Sequence, residues 1–115
     1  RPRYVSESLS FERVLKALGE TGADLLPVID HHTHFKGVIS YEEVKNALYD
    51  PVLRDLVIAE DLTSSVDDPL DPGASLAKAL EVLDRHHVQS WPVVKDRQLL
   101  GIVRRTDIYA MLRRA

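Results

Sequence analysis

The sequence has 115 residues, 44% hydrophobic and 29% charged, which suits one compact folded domain of roughly ordinary size. A formal net charge of −3 excludes a general nucleic-acid binder, which carries a basic surplus, and every apolar run falls short of the ~20 residues that cross a bilayer. Cysteine is absent, which removes disulfide and thiol chemistry and fits a reducing, cytoplasmic compartment; the start at Arg1 rather than Met suits a piece of a larger protein.

In chain order, apolar spacing predicts a helix over 10–19, short strands near 25–29 and 36–40 around the polar turn "DHHTHF", and a helix over 41–48. Asp50 reads as an N-cap with Pro51 at the first helical position, so the connection "DPVLRDLVIAEDL" begins as a helix. Ser75 caps a helix over 75–86 with Leu76, Ala79, Leu80 and Leu83 on one face. "SWPVV" and "LLGIV" then form a hairpin about "KDRQ", and a closing helix over 105–113 carries Ile108, Met111 and Leu112 on one side.

These elements occur twice. Pro27 and Pro92 lie 65 residues apart, and at that offset Val5, Ser10, Phe11, Leu15 and Leu18 fall on Leu70, Ser75, Leu76, Leu80 and Leu83. After the hairpin turns the offset becomes 64, placing Gly37, Val38, Ile39 and Val44 on Gly101, Ile102, Val103 and Ile108. Two short helices cannot cover the apolar face of a two-stranded unit, so the copies are expected to pack together with pseudo-twofold symmetry, with ligand clefts between them. The expected division is 1–56, including the start of the connection, and 57–115.

The pattern of a helix, an apolar-Pro-Val strand, a turn, and Gly-apolar-apolar-x-x-x-Asp opening a helix resembles the cystathionine β-synthase (CBS) domain, and two in register resemble a tandem CBS pair, or Bateman module. The resemblance implies an α+β fold in which each repeat is helix-strand-strand-helix with a short lead-in strand. "IAEDL" is expected to lead into the second copy, with no counterpart ahead of the first. It also implies a non-catalytic regulatory role with no required cofactor, and an adenine nucleotide (AMP, ADP or ATP) bound between repeats. In the family a hydroxyl residue three positions after the glycine lies near phosphate, and an acid three further on holds ribose hydroxyls.

Those positions are Ser40 and Glu43 in the first copy, and Arg104 and Asp107 in the second, where Thr106 is the neighbouring hydroxyl. Arg104 can meet phosphate as a charged fork, and Arg104 with Arg105 reads as an anion site or as a solvated helix start. Ser40 and Glu43 have the S-x-x-E spacing of a reciprocal capping box, which needs no ligand. Asp107 is equally at home as a helix-dipole partner. Trp91, beside Pro92, and Tyr109 offer faces for a base, while a lone Trp beside a strand proline also suits core packing.

His31, His32 and His34 crowd one hairpin turn, where consecutive side chains diverge, so no metal site is expected; His86 and His87 read as helix-terminal cations. No nucleophile elbow, phosphate loop or H-E-x-x-H motif is present, and no enzymatic activity is expected. "VKNALYDPVLRDLVIAEDL" and "YVSESLSFERVLKAL" are similar to the linker and opening of CBS pairs appended to prokaryotic ClC-type chloride channels and chloride/proton antiporters. That similarity implies a cytosolic module that homodimerises, adjoins the membrane transport domain of its own chain without entering the membrane, and biases the gate. Its dimer contact is expected around Ile108 and Leu112. A ligand-free scaffold and a free-standing metabolite sensor are the alternatives.

Overall fold

Serine caps begin both long helices: Ser10 accepts from Arg13 N ahead of α1 (Phe11–Thr21), and Ser75 accepts from Lys78 N ahead of α5 (Leu76–His86). The structure, a computed structural model, describes residues 4–114. In the first repeat β1 (Val5–Ser6) runs parallel to β2 (Leu25–Ile29), which pairs antiparallel with β3 (Phe35–Ser40), and α2 (Tyr41–Leu48) follows directly. The connection holds α3 (Pro51–Leu56) and α4 (Ala59–Leu62). In the second repeat β4 (Ser90–Lys95) and β5 (Gln98–Arg104) form a hairpin closed by α6 (Arg105–Arg114).

The register makes the repeats equivalent residue by residue. Pro27 faces Val38 as Pro92 faces Ile102, Val5 pairs with Val28 as Leu70 bridges Val93, and both hairpins bulge at the same place, after Val28 and after Val93. The prolines fit because Val38 turns its N–H and C=O outward, so the pair requires no N–H from Pro27. The one-residue change of offset lies in the turns. Asp30 and His34 close a three-residue loop with Thr33 at φ 66°, whereas Asp96 and Arg97, at φ 50° and 69°, form a two-residue turn. Gly22 ends α1 at φ 62° and its counterpart His87 ends α5 at φ 56°, where a left-handed conformation costs a residue with a Cβ more than it costs glycine.

Two buried clusters result. The first gathers Phe11, Val14, Leu26, Ile39 and Val44 with Ala59 and Leu62. "IAEDL" therefore packs in the first core instead of leading into the second repeat: Ala59 N donates to Leu9 O and Glu60 N to Glu7 O. Beyond it, Ser64 exchanges two backbone hydrogen bonds with Val38, at 2.9 and 2.8 Å. The first repeat does possess a lead-in strand, β1, which two residues with little periodicity of their own do not advertise in the sequence. The second cluster joins Val82, Leu83, Trp91 and Ile108 to Leu25 and Val38 of the first repeat, so the repeats share a core. Ile108, expected at a dimer surface, is buried inside it, while Tyr109, Met111 and Leu112 remain exposed.

Polar groups fix the repeats against each other. Asp24 accepts from Gln89 N at 2.8 Å and from the buried Ser90 hydroxyl at 2.7 Å. Hydrogen bonds to a charged group contribute about 1.5–3 kcal/mol each, so Asp24→Ala is expected to lower the unfolding free energy by at least about that much. Urea denaturation read by the single tryptophan, which lies in the shared core, measures the loss.

Candidate functional site

The pseudo-twofold places the start of β2 in one repeat opposite the end of β5 in the other, and a cleft opens between them. One lobe of about 270 Å³ is walled by Leu25, Leu26 and Pro27 and by Leu100, Gly101 and Ile102, with Arg104 and Asp107 as its charged residues. A second lobe of about 300 Å³ shares Thr21, Ala23 and Arg104 with the first and adds Asp24, Ser90 and Thr106. Small-molecule sites begin at about this size, at roughly 300 Å³.

The cleft is open because β5 is bare where β3 is covered. Gly37, Val38 and Ile39 are buried, but Gly101, Ile102 and Val103 are only half-buried. Among the described residues, no segment bonds the outer edge of Ile102 as Ser64 bonds Val38. A Cβ on Gly101 would meet nothing within 4 Å. Apolar strand side chains and polar groups therefore line the slot together.

The charged residues divide between bracing and availability. Arg105 donates to Asp84 at 2.7 Å and to the Val88 carbonyl at 3.1 Å, and Asp84 first, then Tyr109, hold its pKa above the ordinary arginine value. Arg105 ties α6 to α5 and leaves the cleft, so the anion site expected at Arg104 and Arg105 reduces to Arg104. Arg104 also occupies the position that Ser40 holds before α2, and a guanidinium has no acceptor with which to cap a helix. Arg105 N is satisfied by Gln89 O at 2.8 Å; the next N–H groups of α6 face the end where Thr106 and Asp107 stand.

Thus Arg104, Thr106 and Asp107 come together on one cleft. Ser40, Glu43, Trp91 and Pro92 do not line it; the repeat register puts them on the opposite, pseudo-equivalent side. There Ser40 caps α2 by accepting from Glu43 N at 3.3 Å, with no bond returning from the exposed Glu43 side chain, so the expected reciprocal box is half formed. Tyr109 lies outside both lobes. Sequence reasoning missed Thr21, Ala23 and Leu26, which the repeat offset alone could have found by pairing them with positions 86, 88 and 91.

The histidines also have definite places. Asp30 accepts from His32 N and His34 N and so fixes the turn, and the His34 backbone bond, the larger cause, lowers the Asp30 pKa. His86 stands in the last turn of α5, as expected of a helix-terminal residue, and there it stacks on Trp91 and bonds Asp68.

A family model described as CBS domain matches residues 1–50 and again 58–114. Among curated proteins, no relative matches the chain. Solved structures do. The chain is similar to CBSX2 in a complex with AMP, at 23% identity and TM-score 0.83, covering 99% of this chain and 89% of that one. A CBS domain pair/ACT domain protein of Thermotoga maritima is 24% identical at TM-score 0.78, covering 98% and 89% of the two chains. The CBS domain of a membrane protein of Sphaerobacter thermophilus is 21% identical at TM-score 0.72, covering 96% and 82%.

Proposed function

This chain belongs to the CBS-domain family as a tandem pair, and on that premise we propose that it is a non-catalytic sensor module that binds an adenine nucleotide in the cleft between Leu25–Pro27 and Arg104–Asp107. The observation that carries the reading is the convergence of Arg104, Thr106 and Asp107 on one open cleft of two adjoining lobes. A base would enter between the strand faces, Asp107 would accept from ribose hydroxyls, and Arg104 with the α6 start would meet phosphate. The AMP in the CBSX2 structure supports the same ligand class.

Regulation then follows from linkage: the nucleotide shifts the parent protein by no more than its difference in affinity for two arrangements of the module, typically ~1–3 kcal/mol. Calorimetry with AMP, ADP, ATP and S-adenosylmethionine tests the site. Asp107→Ala is expected to weaken adenylate binding by about 10-fold or more, from the loss of hydrogen bonds to a charged group. Unchanged affinity in that variant would contradict the assignment.

The linker resemblance supports a ClC-type chloride channel or antiporter as parent, with the module on the cytosolic face. The CBS domain of a membrane protein stands among the similar structures, and so does a pair joined to an ACT domain. Membrane-spanning segments encoded upstream of Arg1 would agree; a parent without any would contradict it. Exposed Tyr109, Met111 and Leu112 favour a homodimer, which the ligand-free dimerisation-scaffold reading also requires, and sedimentation as a strict monomer at high concentration would oppose both.

A further inference from the structure

Each wall of the open cleft has a counterpart generated by the pseudo-twofold. Thr21, the last residue of α1, corresponds to His86, the last of α5; Leu26, opposite Ile39, corresponds to Trp91, opposite Val103; and Gly101 corresponds to Gly37. A threonine and a leucine at the open cleft thus become a histidine and a tryptophan at the other.

Those two large rings are engaged with each other. The His86 imidazole lies on the Trp91 indole at 4.1 Å between centroids and 16° between planes. Its Nε2 meets Asp68 Oδ2 at 2.9 Å, while the indole N–H donates to the Asp68 backbone carbonyl, also at 2.9 Å. Arg85 donates to the same Asp68 carboxylate at 2.9 Å, and Trp91 is 6% exposed. The facing wall is shut as well, since Ser64 bonds Val38 from outside and its backbone lies against Gly37.

We infer that the second cleft is occupied by the protein itself, with the His86 imidazole stacked where a base would stack on Trp91, so that the module takes one nucleotide per chain. The inference rests on the nucleotide reading for its ligand but not for the plug. Trp91 is then a filler of the closed cleft, and Ser40 keeps its structural role as a cap. The single open site makes the response of the module non-cooperative within one chain.

The test uses the only tryptophan as its probe. In the intact protein Trp91 emission is expected to be shielded from acrylamide, and in His86→Thr to shift to the red and become quenchable. With AMP, calorimetry is expected to give one molecule per wild-type chain with Trp91 emission unmoved. His86→Thr/Trp91→Leu leaves the Ser64 wall against Gly37 in place and is expected still to bind one, more weakly when Asp107→Ala is added. Wild-type emission quenched by AMP, two molecules per wild-type chain, or unaltered acrylamide access in His86→Thr would each overturn the inference. If no variant binds AMP, the nucleotide reading fails and the acrylamide comparison alone decides whether His86 plugs the cleft.

Discussion

Replacing Phe11 with alanine is expected to cost about 3–5 kcal/mol, while alanine at its repeat counterpart Leu76 costs far less. Phe11 is 1% exposed and Leu76 37%. The difference comes from the connection between repeats. Asp50 caps α3 by accepting from Val52 N at 3.0 Å and Leu53 N at 3.3 Å, Pro51 presets the first turn, and Arg54 is carried to 5.9 Å over the Phe11 ring while pairing with Glu12. Among the described residues, no helix covers Leu76 in this way. Chemical denaturation of the two variants measures the contrast; equal losses would mean that the connection does not seal the first core.

Gly37→Ala is expected to destabilise by about 1–3 kcal/mol, as overpacking against backbone does. An added Cβ would collide with the Ser64 carbonyl oxygen and stand 2.8 Å from Thr63 Cγ2 and 2.9 Å from Ser64 C. Relief requires breaking the paired Val38 and Ser64 hydrogen bonds, and with them the seam that holds residues 63–64 across β3. Gly101→Ala, in open space and without a left-handed φ, should be neutral or stabilising by up to about 1 kcal/mol. The same methyl would project at the slot's wall, so Gly101→Ala should reduce nucleotide affinity while leaving the fold intact. Thermal melts together with nucleotide titration separate the two effects, and a Gly37→Ala protein as stable as wild type would refute the seam.

The sequence carried the duplicated architecture because both copies repeat helical periodicity, serine caps and strand prolines in register. It did not carry the asymmetry between copies, which depends on where the connection runs. "IAEDL" reads as a lead-in from its position before Leu70, yet Ala59 and Leu62 find their apolar surroundings in the first core. In the same way "RRTD" suggested two cations at one site, but Arg105 lies within reach of Asp84 and Val88 O, partners 21 and 17 residues away that no local pattern reveals. Trp91 had two readings in the sequence, and a stacked His86 five residues before it depends on the bend between α5 and β4.

The most direct test of the account is a ¹⁵N amide spectrum of the protein titrated with AMP. Shifts concentrated at Ala23, Gly101, Arg104, Thr106 and Asp107, with Gly37, Ser40 and Glu43 still, are the expected result, since the first group lines the open cleft while Gly37 is covered by Ser64. Shifts centred on Ser40 and Glu43, or no shifts at millimolar AMP, would contradict it.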